Sequence, residues 1–203
     1  MSPEEYNLLA AEQQSFVFDR MFKAVEKVRE RLDRSCKALA DAEVSYAVIG
    51  GHAVAAWVAT VDDGAVRNTQ DVDLLIREVD LGTATEALQA VGFKRDEVMG
   101  VVVFLDGDDG KPSQGIHILL AGQKVKDSYI SATPLPEQAI EIDSKRIIDL
   151  VELVRMKLNS YRRKDQTHLI DMIQVGLIDK SWPEKFEREL GYRLQELLND
   201  PDG

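Results

Sequence analysis

Asp71 and Asp73 stand two residues apart in the run Asp71-Val72-Asp73-Leu74-Leu75. The apolar residues around them read as a strand over 71–76. Side chains alternate along a strand, so both carboxylates face one side while Val72 and Leu74 face the other. Two carboxylates that close repel each other. A divalent cation between them removes the repulsion, and Mg²⁺ is commonly held by one or two carboxylates together with substrate phosphate oxygens. Upstream, Gly50-Gly51 ends the apolar run 46–49 and leads into a helix expected over 52–60. Glycines at such a junction let the backbone approach a phosphate closely, and helix N-terminal amides favour anions. A phosphate cradle and a metal pair in one chain imply phosphoryl or nucleotidyl transfer, where bound metals stabilise the attacking and leaving oxygens.

The elements that must position these residues follow from periodicity. Phe18, Met21, Phe22, Val25, Val28 and Leu32 recur at spacings of three and four, which predicts a helix over 15–39 whose stripe belongs to a core or an interface. The run 46–49 is a short buried strand, 61–68 a polar loop, and 81–91 a helix closed by Gly92. Strands over 101–105 and 116–120 flank the turn-forming, acidic stretch 106–112 and read as a hairpin or a short β connection. The segment 124–141, with Pro134 and Pro136, reads as irregular. Helices are expected over 147–161 and 166–175, joined by Arg162-Arg163-Lys164-Asp165, and a last amphipathic helix over 183–198. The order is α, then βαβαββ, then α-rich. It predicts an α/β (α+β) fold with a small mixed sheet flanked by helices, an N-terminal helix and a helical C-terminal extension, with a transition near residue 145 dividing 1–145 from 146–203.

These residues resemble a known family. A Gly-Gly turn, a helix, then Asp-x-Asp on the next strand is similar to the signature of the DNA polymerase β-type nucleotidyltransferase superfamily, over residues 44–76. Arg67-x-Thr69-x-Asp71-Val72-Asp73 resembles its AbiEii-type, minimal nucleotidyltransferase branch, and the stretch with Lys157, Arg162, Lys164, Asp165 and Asp171 looks like the helical half of those proteins. The resemblance implies that Asp71 and Asp73 hold Mg²⁺ or Mn²⁺. It implies that Gly50 and Gly51 contact the triphosphate of an NTP, and that Arg67 and Thr69 serve a phosphate or its loop. Lys157 and Arg162 would reach phosphate or base from the helical half.

One position departs from the family pattern. Active members carry a third carboxylate on a later strand, and in Gly115-Ile116-His117-Ile118-Leu119-Leu120 that position holds His117. A histidine can accept a proton near neutral pH or bind a metal through nitrogen, but hard ions prefer oxygen. His117 is therefore the base, or an acid such as Asp106 substitutes, or catalysis has been lost. The expected activity is transfer of NMP from an NTP onto a hydroxyl acceptor. The alternative is a degenerate nucleotide-binding or partner-binding module, as in a toxin–antitoxin or defence system.

Bulk properties narrow the partners. The 203-residue chain is 44% hydrophobic, enough for a core, and carries a formal net charge of -11. Affinity for nucleic acid comes mostly from clustered Lys and Arg, so a protein or small-molecule acceptor is favoured over RNA. The lone Cys36 fits a reducing compartment, and no apolar run approaches the roughly 18 residues that span a bilayer. A cytoplasmic protein is expected, with a protein partner among its possible ligands.

Overall fold

Four consecutive apolar residues form strand β1 (Tyr46–Ile49), and all four are buried. An unalternating apolar run of this kind is covered on both faces, which places it inside a sheet. In the computed structural model β1 runs antiparallel to β2 (Val72–Ile76) on one side and parallel to β7 (Lys145–Ile148) on the other. β2 in turn runs parallel to β5 (Ile116–Leu120), beyond which lie β4 (Val101–Asp106) and β3 (Phe93–Val98). β6 (Ala139–Ile142) closes the other edge, giving a seven-stranded mixed sheet ordered β3-β4-β5-β2-β1-β7-β6. The structure describes the backbone of residues 3–200 and the side chains of residues 19, 20 and 22–200.

Among the described residues six helices accompany the sheet: α1 (Pro3–Asp41), α2 (Gly50–Ala59), α3 (Leu81–Ala90), α4 (Leu150–Ser160), α5 (Arg163–Gln174) and α6 (Arg188–Asn199). α4, α5 and α6 pack on one another, and α4 and α5 also rest against α2. The Trp57 indole donates to the Ile148 carbonyl at 3.0 Å, which ties α2 to β7. The fold class is thus the expected mixed α/β arrangement with helices flanking the sheet.

Several boundaries and strands differ from the periodicity, each for a local reason. β3 has the sequence FKRDEV and buries only Phe93, so it carries no alternating signal; pairing with β4 makes it a strand. β6 and β7 form a hairpin inside stretches expected to be irregular and helical. Asp149 explains the second error: its side chain accepts from the Val151 amide at 2.8 Å and caps α4, so the helix begins at Leu150 rather than 147. α5 likewise starts early, because the Asp165 carboxylate accepts from the Arg162 backbone amide. Among the described residues the stripe of α1 enters the core at its C-terminal end, through Leu32, Cys36 and Leu39; Phe22 and Val25 are exposed, and the side chains of Phe18 and Met21 lie outside the described residues.

Candidate active site

The sheet register assembles the site. Ile49 on β1 lies opposite Asp73 on β2, and Asp73 lies opposite His117 on β5. The row sets the glycine pair, one carboxylate and the histidine side by side at one edge of the strands. β2 begins at Val72, so Asp71 sits just before the strand rather than inside it as the pattern suggested. The helix also begins two residues early: Gly50 and Gly51 form the first turn of α2 instead of a turn ahead of it.

Both glycines are required by contact. Gly50 has φ +68°, and a Cβ there would fall 1.9 Å from Asp73 Oδ2. A Cβ on Gly51 would fall 2.8 Å from Thr69 Oγ1. The backbone thus lies directly against the carboxylate and the threonine, a distance only glycine permits. Thr69 donates to Asp71 Oδ1 at 2.7 Å, and Lys164 Nζ approaches the same oxygen at 3.5 Å. Burial pushes the Asp71 carboxyl up, but the Thr69 hydroxyl and the Lys164 ammonium outweigh it and hold the group below the usual carboxylate range. His117 Nδ1 stands 3.4 Å from Asp73 Oδ1, while its Nε2 lies 2.8 Å from the Pro112 carbonyl. The bond to Asp73 raises the His117 pKa, against burial, and the Pro112 carbonyl adds to the rise.

Donor atoms of Asp71, Asp73 and His117 all lie within 4.8 Å of one another. Two carboxylates and an imidazole at that spacing fit a divalent cation by donor chemistry and by distance.

The facing wall is helical. Lys157 on α4 is buried and pairs with Asp165 at 3.3 Å. Asp165 also accepts from Ser160 Oγ at 2.7 Å and Arg162 Nε at 2.8 Å. Burial raises the Asp165 pKa, yet Arg162, Lys157 and Ser160 together bring it down to about 2, so this carboxylate is ionised at any working pH. Burial lowers the Lys157 pKa and the neighbouring Asp165 charge opposes that shift. Between sheet and helices lies a cleft of about 520 Å³, lined among others by Gly50, Gly51, Asp71, Asp73, His117, Lys157, Arg162 and Lys164.

Of the residues singled out in the sequence, Gly50, Gly51, Asp71, Asp73, His117, Lys157 and Arg162 therefore share one cavity. Thr69 sits behind it, against Gly51 and Asp71. Arg67 points elsewhere: its Nε bonds Asp171 on α5 at 2.7 Å, and its side chain is 62% exposed. Asp106, the candidate replacement acid, pairs with Arg31 and Arg34 of α1 and lies outside the cleft lining. Sequence reasoning missed the far wall. Tyr129, Ser131 and Thr133 lie in the stretch read as irregular, and Asn159 holds that stretch in place by accepting from the Ile130 amide and donating to the Ser131 carbonyl. An Asn close to the end of the helix expected over 147–161 was the available signal. Val98 and Val101, at the paired ends of β3 and β4, and Met99 from the turn between them add an apolar side.

No family model matches the sequence, and no curated protein matches it either. Solved structures do match. An antigenic nucleotidyltransferase-like protein from Paracoccidioides brasiliensis is similar at TM-score 0.54 and 18% identity, covering 88% of this chain and 91% of that one. The antibiotic-resistance factor ANT(2'')-Ia, whose solution structure reveals substrate-regulated conformation dynamics, is similar at TM-score 0.53 and 11% identity, covering 86% of this chain and 92% of that one. Identities this low establish a shared fold: the chain has the architecture of nucleotidyltransferase-like proteins.

Proposed function

We propose that this protein is a metal-dependent nucleotidyltransferase that moves NMP from an NTP onto a hydroxyl acceptor. One observation carries the reading: Asp71, Asp73, His117 and the Gly50-Gly51 backbone meet at one side of a cleft whose helical wall presents Lys157 and Arg162, with Lys164 reaching from that wall to Asp71. Anionic ligands for a cation and cations for an anion face each other across a space of nucleotide size.

Asp71 and Asp73 would hold Mg²⁺ or Mn²⁺, which when bound neutralises phosphate charge and stabilises the attacking and leaving oxygens. The chain's own groups supply the rest. Amides of the first α2 turn, brought close by the two glycines, donate to phosphate oxygens. Arg162 and Lys164 add charge from the helical wall, while Asp165 keeps the Arg162 and Lys157 side chains in place. Thr69 orients Asp71 through its hydroxyl. Arg67, tethered to Asp171 outside the cleft lining, fastens the loop before β2 to α5 rather than meeting a phosphate directly. His117 sits beside Asp73 as a proton acceptor for the attacking hydroxyl or as a further metal ligand.

The acceptor is proposed to be a protein side chain or a small molecule rather than RNA, because the chain is acidic overall. Among the described residues no helix is long and apolar enough to cross a membrane. The finer likeness to AbiEii-type proteins rests on Arg67-x-Thr69-x-Asp71 and on the Lys157-to-Asp171 stretch, and with it the proposal of a defence or toxin–antitoxin role with a protein partner.

The test is label transfer from each NTP with Mg²⁺ or Mn²⁺, in wild type and Asp73→Asn. Loss of a ligand should cost at least about 100-fold, since even supporting residues of metal sites cost about 10–100-fold. Equal transfer by the variant would rule out this site. The pairing of His117 with Asp73 favours a second reading, in which a protonated His117 takes the cation's place and the protein only binds nucleotide. In that case His117→Asp should create activity where wild type has none.

A further inference from the structure

We infer that His117 Nδ1 is a metal ligand, and that it makes the site select Mn²⁺ over Mg²⁺. The inference rests on the reading of Asp71 and Asp73 as metal ligands and adds the third donor and the choice of ion. The Pro112 oxygen is a carbonyl and can only accept, so Nε2 at 2.8 Å from it carries a hydrogen. Nδ1 is then the ring atom left for a cation, and it faces Asp73; a bound ion would take the place of the proton that the ring otherwise shares with that carboxylate. Metal-binding imidazoles are oriented in this way, with the remote N–H donated to a carbonyl or carboxylate.

The carbonyl itself is firmly placed. It belongs to the 3-10 turn Pro112–Gln114 and also accepts from the Gly115 amide at 3.1 Å. Gly115 is wedged against β4, where a Cβ would fall 2.8 Å from Val103 Cγ1 and 2.9 Å from the Phe104 carbonyl. The 3.4 Å between Nδ1 and Asp73 Oδ1 is close to the separation of about 3 Å expected for adjacent ligands on an octahedral ion with bonds near 2.1 Å. Both ions favour oxygen donors, but Mn²⁺, the softer first-row transition ion, tolerates an imidazole nitrogen better than Mg²⁺ does. Replacing a carboxylate by His117 therefore weakens the site for Mg²⁺ more than for Mn²⁺.

The experiment is Mn²⁺ binding to the full chain followed by electron paramagnetic resonance, with pulsed detection of nitrogen coupled to the ion. Wild type should show a directly bound ¹⁴N that becomes ¹⁵N in uniformly ¹⁵N-labelled protein. Mg²⁺ should displace Mn²⁺ at least about tenfold more readily from His117→Asp than from wild type. The wild-type nitrogen signal does not depend on the variant folding. Mn²⁺ that binds wild type, is lost in Asp73→Asn and shows no coupled nitrogen would overturn the inference and leave the metal role of Asp73 standing. Failure of wild type to bind Mn²⁺ at all would overturn both.

Discussion

At the scale of single residues, the glycines and carboxylates constrain one another. Gly50 has a left-handed backbone and touches Asp73, so Gly50→Ala meets two penalties. The positive φ costs roughly 1–2 kcal/mol for an L-residue, and the Asp73 carboxylate must leave its position. We expect Gly50→Ala to lose about 1–3 kcal/mol of stability and to lose metal binding, measured by urea denaturation and Mn²⁺ titration of the same sample. A variant that binds metal normally would mean that Asp73 needs no fixed position. Asp71 differs, because Thr69 and Lys164 keep it ionised. Thr69→Val should raise the pH at which metal binding begins, since the removed hydroxyl favours the carboxylate form.

At the scale of elements, α4 and α5 form a polar junction that burial makes expensive to disturb. Lys157 is buried and Asp165 is its counter-charge. Asp165→Asn should cost about 3–5 kcal/mol, the usual penalty for leaving a buried charge unpaired. Adding Lys157→Met should recover part of that loss in the same denaturation assay. His168 on α5 provides a pH signature. Its burial, with the charges of Lys157 and Lys164, lowers its pKa from 6.5 to about 4. The unfolded chain therefore takes up that proton first as pH falls. The contribution of His168 to stability is whole above pH 6.5 and is lost as pH drops toward 4, on the order of 3 kcal/mol in all. His168→Gln should flatten the fall in urea midpoint between pH 6.5 and 5. An unchanged slope would assign it to other groups.

At the scale of the whole molecule, the cleft lies between sheet and helices, so a nucleotide bound there would touch both. Binding to the folded state alone stabilises it by about 2.7 kcal/mol at one hundred times the dissociation constant. For a chain of this length that is roughly 5–10 °C in melting temperature. The shift should need NTP and divalent ion together and vanish in Asp73→Asn, as read by differential scanning fluorimetry. A shift of equal size without metal would mean that the helical cations alone hold the nucleotide.

Much of the site was legible in the chain because its signals are local. Gly50-Gly51 and Asp71-Val72-Asp73 announce a close backbone approach and paired carboxylates through spacing alone, and the apolar runs of β1, β2, β4 and β5 announce the central strands. Only tertiary structure decided the rest. β3 and β7 exist because neighbouring strands supply hydrogen-bond partners, which no window of FKRDEV or KRII contains. Arg67 and Asp171 are 104 residues apart, and their contact follows from how α5 packs near the loop before β2. Whether His117 faces the carboxylates is a matter of register: one residue of slip between β2 and β5 would turn it to the opposite face, and the pairing of 73 with 117 is set by the whole sheet.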